Sequence, residues 1–164
     1  MGQLFRISIY AILLTAAVAC TTTSPRKYVE LTVLNTNLVT AYFRPAFFDE
    51  LKGHQGNAVD YVQQRTSMGL DRAIEKVEEL KVTDETRPLI DASLDVLTYG
   101  KQLFSSEYTD IAKLIDSGAD ESAIDSAITQ LFEKNGPVLD EKLNALDEVA
   151  MPYAEKHGIE LQTY

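Results

Sequence analysis

Few side chains in this sequence have the chemistry that catalysis or metal binding requires. The chain of 164 residues has one cysteine, Cys20, two histidines, His54 and His157, and no tryptophan. It has no glycine-rich phosphate-binding loop and no strand-turn-helix serine motif that would present a nucleophile. His157 follows Glu155 at a spacing of two, which does not place both side chains on one face of a helix. We therefore expect a protein that is not an enzyme and that carries no cofactor.

Metal and haem sites are also poorly supported by the sequence. The Glu-x-x-His pattern of di-iron helical proteins is absent, and so is the Cys-x-x-Cys-His sequence that attaches haem. Met68 or Met151 together with a histidine could ligate haem, but methionines more commonly fill cores or lie on surfaces. We therefore predict no metal ligands.

Cys20 is distinctive because of the residues that precede it. Arg6 is followed by an apolar run from about Ile7 to Val18, and small residues then lead to the cysteine. A positive charge, a short apolar run and small residues form the layout of a secretory signal peptide. The segment resembles that of the bacterial lipoproteins, in which the cysteine after a small residue is acylated. This resemblance implies lipid attachment at Cys20 and, because Thr21 rather than aspartate follows, a location on the periplasmic side of the outer membrane.

Two other interpretations of this leader remain open. The residues Ala17-Val18-Ala19 also fit the cleavage site of an ordinary signal peptidase, which would release a soluble protein with a free thiol. Such a lone thiol is prone to unwanted pairing in an oxidising compartment, whereas acylation removes it. An uncleaved membrane anchor needs about 20 apolar residues, and the run here is about 12 long. We expect a signal peptide over residues 1–19, a lipidated tether over 20–27 and one domain over 28–164.

The charge of the chain argues against nucleic acid as a partner. The net charge is −10, and binding to phosphates requires clustered lysine and arginine. Eight carboxylates and two lysines lie between Asp120 and Glu148. This segment could attract a basic partner or a weakly held divalent cation. A solvated helix face gives the same pattern, because the acids fall between the apolar positions.

The apolar residues after Ser24 recur at spacings of three and four, which predicts an all-α domain. Four helices are expected, at about residues 25–44, 58–81, 88–115 and from 121 to near the C-terminus. Ser24 is the expected cap of the first helix and Pro25 its first residue. Gly69 could interrupt the second helix. The last helix is expected to be kinked or divided at Gly136-Pro137, and bent again near its end by Pro152.

Four amphipathic helices with short connections predict an antiparallel up-down four-helix bundle with a kinked last helix. A helical repeat protein is the structural alternative, but no 34-residue self-similarity is present. A coiled-coil oligomer also stays open, because the third helix would be about 45 Å long. In the bundle, the connection over residues 45–57, which could contain a short helical turn at residues 46–51, and the turn at residues 116–120 share the end far from Cys20.

Phe47 and Phe48 lie in that connection and are the candidate partner-binding residues. Exposed aromatic side chains with a polar rim are common anchors of recognition. Alternatively, the two rings plug the open end of the bundle.

Together these features predict a non-enzymatic protein-binding or accessory lipoprotein of the scaffold, pilot, inhibitor or immunity type. Acyl chains on Cys20 would hold it at the membrane, and its partner would be another envelope protein. The alternative is a helical-bundle carrier of a small ligand, haem or metal. In that case tyrosine side chains would supply polar contacts, with Tyr42, Tyr61, Tyr99 and Tyr108 as the candidates.

Overall fold

The computed structural model describes residues 23–161, and this part of the chain is helical throughout, with no strand. It contains five helices: α1 over residues 25–42, α2 over Pro45–Lys52, α3 over residues 58–78, α4 over residues 87–116 and α5 over Glu121–Lys156. The prediction of an all-α domain is therefore confirmed.

The helices begin close to the positions that the sequence predicts. The Ser24 side chain accepts a hydrogen bond from the backbone N–H of Lys27 at 3.3 Å, and Pro25 is the first helical residue of α1. A proline is well tolerated there, because the N–H that it lacks has no partner within the helix. Helix α3 follows Asn57, and Pro88 is the second residue of α4.

Helix α2 is a correction to the predicted connection over residues 45–57. Arg44 is extended, with φ −152° and ψ 153°, as the residue before a proline prefers. The chain therefore leaves α1 and starts a new helix at Pro45. Phe47, Phe48 and Leu51 are buried on its inner face, and burial of such side chains contributes about 1.5–3 kcal/mol each. Where the sequence indicates at most a short helical turn at residues 46–51, this burial stabilises a helix over Pro45–Lys52.

Three helices each contain one five-residue π-helical turn. These turns span Glu30–Leu34 in α1, Thr66–Leu70 in α3 and Phe104–Tyr108 in α4. A π turn accommodates an extra residue in an otherwise α-helical run, and such turns are frequent at functional sites. The expected interruption at Gly69 thus takes the form of a wider turn, and α3 continues through it.

Helix α5 runs for 36 residues and contains both Pro137 and Pro152. It is not divided at Gly136-Pro137. A proline removes one backbone donor from the helix, and the side chain two residues before Pro137 makes hydrogen bonds of its own. Asn135 is buried; its amide donates to the Leu131 carbonyl at 3.0 Å, and the Tyr99 hydroxyl donates to its amide oxygen at 2.9 Å.

The contacts between helices follow a regular order. Ala58–Arg65 of α3 contacts Thr109–Asp116 of α4, and Asp71–Glu78 contacts Arg87–Leu103, so these two helices run in opposite directions. Helices α1 and α4 run side by side in the same direction. There the Ser93 hydroxyl donates to the Thr32 carbonyl at 2.8 Å, and Gly100 lies against Val39. A continuous apolar core lies between these helices and α5.

Candidate functional site

The residues singled out from the sequence are found in different environments. Cys20 lies outside the described residues. Phe47 and Phe48 lie within them and are only 3% and 1% exposed. Because the partner-binding hypothesis required exposed rings, this burial corrects the expectation of exposure and agrees with the alternative, in which the rings are a plug buried in the domain.

The two phenylalanines belong to an aromatic cluster beneath α2. The ring of Phe47 lies 5.5 Å from that of Tyr108, and the ring of Phe48 lies 5.0 Å from it. The Tyr108 hydroxyl donates to the Tyr42 carbonyl at 2.9 Å, and burial raises the pKa of Tyr108. Aromatic pairs at these separations contribute about 0.5–1.5 kcal/mol beyond their buried area. The cluster therefore fixes α2 against α4.

The loop after α2 and the turn after α4, which the sequence places at one end of the domain, do meet. The Asp116 carboxylate at the end of α4 accepts hydrogen bonds from the backbone N–H groups of Gly56, Ala58 and Val59, at 2.8, 2.8 and 3.1 Å. These donors lie at the beginning of α3, whose own cap residue Asn57 makes no side-chain cap bond. Asp116 therefore acts as the cap of α3 from another helix.

Both histidines are engaged by neighbouring side chains. The His54 ring is stacked on Tyr61 with centroids 4.0 Å apart. The Nε2 atom of His157 lies 2.8 Å from the Glu85 carboxylate, and Lys156 and His157 lower the pKa of Glu85. Within residues 23–161, no group of three or more His, Cys, Asp or Glu side chains is arranged to hold a metal ion.

The eight carboxylates between Asp120 and Glu148 are all exposed. Asp125 is paired across helices with Lys52 at 2.6 Å. Basic side chains of the same segment likewise reach other helices, as Lys134 does to Glu107 and Lys142 to Asp95, both at 2.8 Å. This arrangement agrees with the interpretation of the segment as a solvated helix face.

A groove lies between α1 and α3. Its volume is about 520 Å³. We call it the α1–α3 groove; it is lined by Leu31, Asn35, Leu38 and Tyr42 from α1 and by Gln64, Arg65, Met68, Gly69, Arg72, Ala73 and Lys76 from α3. Two of the three π-helical turns contribute to it, through Leu31 in α1 and through Met68 and Gly69 in α3.

Small and apolar residues line the inner part of this groove. Gly69 has no side chain, and a Cβ atom built at Gly69 would lie 3.5 Å from the Tyr42 hydroxyl, which is an ordinary contact. Met68 is 53% exposed, and Leu34, one turn from the groove residues Leu31 and Leu38, is 52% exposed. Large apolar side chains that remain in contact with water beside a groove are typical of recognition surfaces.

The polar residues of the groove are neutral or positively charged, and none of its lining residues is acidic. Arg65 contacts the Tyr61 hydroxyl at 2.6 Å and Glu50 at 3.3 Å. This hydrogen bond to Tyr61 raises the pKa of Arg65. Lys76 lies 2.9 Å from Glu79, and Arg72 makes no ion pair with any described residue. The groove therefore combines an apolar floor with a positive rim on a protein whose net charge is −10.

Sequence reasoning did not find the α1–α3 groove. Leu31, Leu38 and Ala73 belong to apolar stripes that predict core positions, and only the approach of two helices shows that part of each stripe borders a groove. A usable signal was present in α3, where Arg65, Arg72 and Lys76 recur at spacings of seven and four and so lie on one helix face.

Comparison with models of protein families, with curated proteins and with solved structures gave no match to this chain. Among the described helices, none combines the length and the apolar character needed to cross a bilayer.

Proposed function

We propose that this protein is a lipid-anchored lipoprotein of the bacterial envelope that binds another envelope protein without catalysing a reaction, and that the α1–α3 groove is its binding face. The groove, with its apolar floor and positive rim, is the observation that carries this proposal. The leader ending at Cys20 supports the anchored state. The outer membrane is the proposed location, with the domain on the periplasmic side.

The proposed architecture is an up-down-up-down bundle of the four long helices, with α2 packed across one end. Opposed contacts between α3 and α4 support it, and so does the pairing of Tyr28 with Tyr153, whose ring centroids are 6.4 Å apart. Such a bundle would keep α1 and α3 at a fixed separation, and a preformed groove loses less entropy on binding than a mobile one.

A photo-crosslinking amino acid at position 68 tests the proposed binding face. Met68 is exposed in the groove, whereas Met151, a methionine that is 61% exposed on α5, lies outside it and provides the matched control. Irradiation of intact cells should give one dominant protein adduct from position 68 and none of the same mass from position 151. Equal adducts from both positions, or none from position 68, would contradict the proposal.

A second candidate function, the carriage of a small ligand, is favoured by the size of the groove. Small-molecule sites commonly enclose about 300–1,000 Å³, and this groove has about 520 Å³. Native mass spectrometry of the protein extracted from its own membrane separates the two functions. A bound mass that is lost on unfolding supports a carrier, whereas the mass of the acylated chain alone supports the protein-binding function.

A further inference from the structure

We infer that the partner element recognised by the α1–α3 groove is an acidic amphipathic helix. This helix would place apolar side chains on the groove floor and carboxylates beside Arg65, Arg72 and Lys76. The inference rests on the proposed function of the groove and goes beyond it, because it specifies the secondary structure and the charge of the bound segment.

The shape of the groove fits a third helix. Its α3 wall extends from Gln64 to Lys76, a length of about 18 Å or three helical turns. Gly69 faces the Tyr42 hydroxyl and Ala73 is only 5% exposed. A docked helix would therefore rest on the more open apolar side chains of the groove, Leu31, Leu38 and Met68. An amphipathic helix fills such a space with apolar residues at spacings of three, four and seven.

The charge of the groove selects an acidic partner. Arg65, Arg72 and Lys76 all line the groove from α3, whereas no carboxylate lines it. The acids that contact Arg65 and Lys76, namely Glu50 and Glu79, are themselves exposed, with side chains 53% and 59% accessible. Such exposed ion pairs are weak, so these cations can be shared with a partner at little cost.

A second copy of this chain is a poor occupant for two reasons. A symmetric contact through the groove would place the same three cations of two copies opposite one another, and like charges across an interface are unfavourable. The acidic helix α5 has the right charge, but its apolar residues Ile124, Leu131 and Leu139 are buried in its own core. Its exposed large apolar side chains, Val138 and Met151, stand far apart along the helix and form no continuous apolar face for another copy.

Binding of synthetic peptides to the full acylated chain in neutral detergent tests the inference. The first peptide is a helix of about 14 residues with leucines at spacings of three and four and flanking glutamates. The second replaces each glutamate by lysine, and the third contains two central prolines that prevent the helix. Fluorescence anisotropy should show that the first peptide binds at least about tenfold more tightly than either of the others.

Charge reversal in the groove supplies a matched pair of variants. R72E should weaken binding of the first peptide by about fivefold, whereas R87E, an exposed arginine at the beginning of α4, should leave it unchanged. Circular dichroism of both variants checks that the helices are retained. Raising the salt concentration should also weaken binding, because exposed charges are screened over about 10 Å at 0.1 M.

Several results would overturn the inference. Equal binding of the acidic and basic peptides would refute the charge preference, and equal binding of the proline peptide would refute the helix. Displacement of the first peptide by phosphatidylglycerol vesicles would identify an anionic lipid surface instead. If position 68 crosslinks a protein while the acidic peptide fails to bind, this inference falls and the proposed function stands. If the acidic peptide binds while position 68 gives no crosslink, the preference of the groove for an acidic helix is retained and the proposed binding of an envelope protein is contradicted.

Discussion

Asp116 joins two helices through one carboxylate. The first backbone N–H groups of a helix have no partner within it, and at the beginning of α3 three N–H groups in this region donate to Asp116. Since Asp116 is the last residue of α4, its ionised carboxylate also interacts favourably with the positive end of the α3 dipole. A single side chain thus couples the end of one helix to the beginning of another.

Replacement of Asp116 by alanine should lower the free energy of unfolding by about 1–2 kcal/mol, because three backbone donors lose their acceptor. Asp110 provides the control, since it is exposed and forms an ion pair with Lys113, three residues away on the same helix, at 2.9 Å. D110A should change stability by less than about 0.5 kcal/mol. Urea denaturation at pH 7 measures both variants, and equal effects would show that the capping bonds contribute nothing specific.

The contribution of Asp116 should also depend on pH. Desolvation raises the pKa of this carboxyl, but the hydrogen bonds from Ala58, Val59 and Gly56 outweigh it, so the pKa lies below the ordinary 3.8. A lowered pKa stabilises the folded state above the unfolded pKa, and this stabilisation is lost as the pH falls through the folded value. The stability difference between wild type and D116A should therefore be constant from pH 7 to 5 and smaller at pH 3. A difference that grows on acidification would contradict this assignment.

At the scale of elements, the approach of α1 to α4 depends on Gly100. A Cβ atom placed at this position would lie 2.6 Å from Cγ2 and 3.0 Å from Cγ1 of Val39. These separations are far below van der Waals contact, so the absence of a side chain sets the distance between the two helices. The Ser93 hydrogen bond to Thr32, two turns earlier in α4, depends on the same distance.

Gly100→Ala should therefore destabilise the protein by about 1–3 kcal/mol through overpacking, although alanine favours helix by about 1 kcal/mol over glycine. Gly69→Ala is the matched control, because its Cβ would have only an ordinary contact at 3.5 Å, and it should be neutral or stabilising. Thermal unfolding of both variants and of the V39A/G100A double variant measures the effect. Gly100→Ala should cost less stability when residue 39 is alanine than when it is valine. An equal cost in both backgrounds would disprove the steric cause.

Local signals in the sequence predict most of the helices but not all of them. Ser24 and Pro25 place the beginning of α1, and the long apolar stripes of α3 and α4 predict those helices nearly to their ends. Helix α2 was predicted only as a short turn within a connection, because its stability comes from rings packed against distant residues, such as Phe47 against Tyr108. The three π turns were not predicted either, since they depend on how neighbouring helices pack and not on a local motif.

The same limit applies to the candidate site at the scale of the whole molecule. Its residues come from two helices that are separated by the whole of α2, and the apolar pattern assigned several of them to the core. The positive face of α3 was readable in principle, yet its meaning depends on the apolar floor that α1 supplies. A groove is a property of the assembled helices, and the sequence of one helix describes only one wall of it.

The anchor at Cys20 is the remaining prediction at this scale. Each buried methylene of an acyl chain contributes about 0.8 kcal/mol, and stable attachment to a membrane generally needs more than one chain. The wild-type protein should therefore incorporate labelled palmitate, sediment with membranes and have an intact mass above that of residues 20–164. Cys20→Ala should abolish the label, whereas Thr21→Ala should retain it. An unmodified Cys20 thiol on a wild-type protein recovered in the soluble fraction would instead contradict acylation and agree with release by an ordinary signal peptidase.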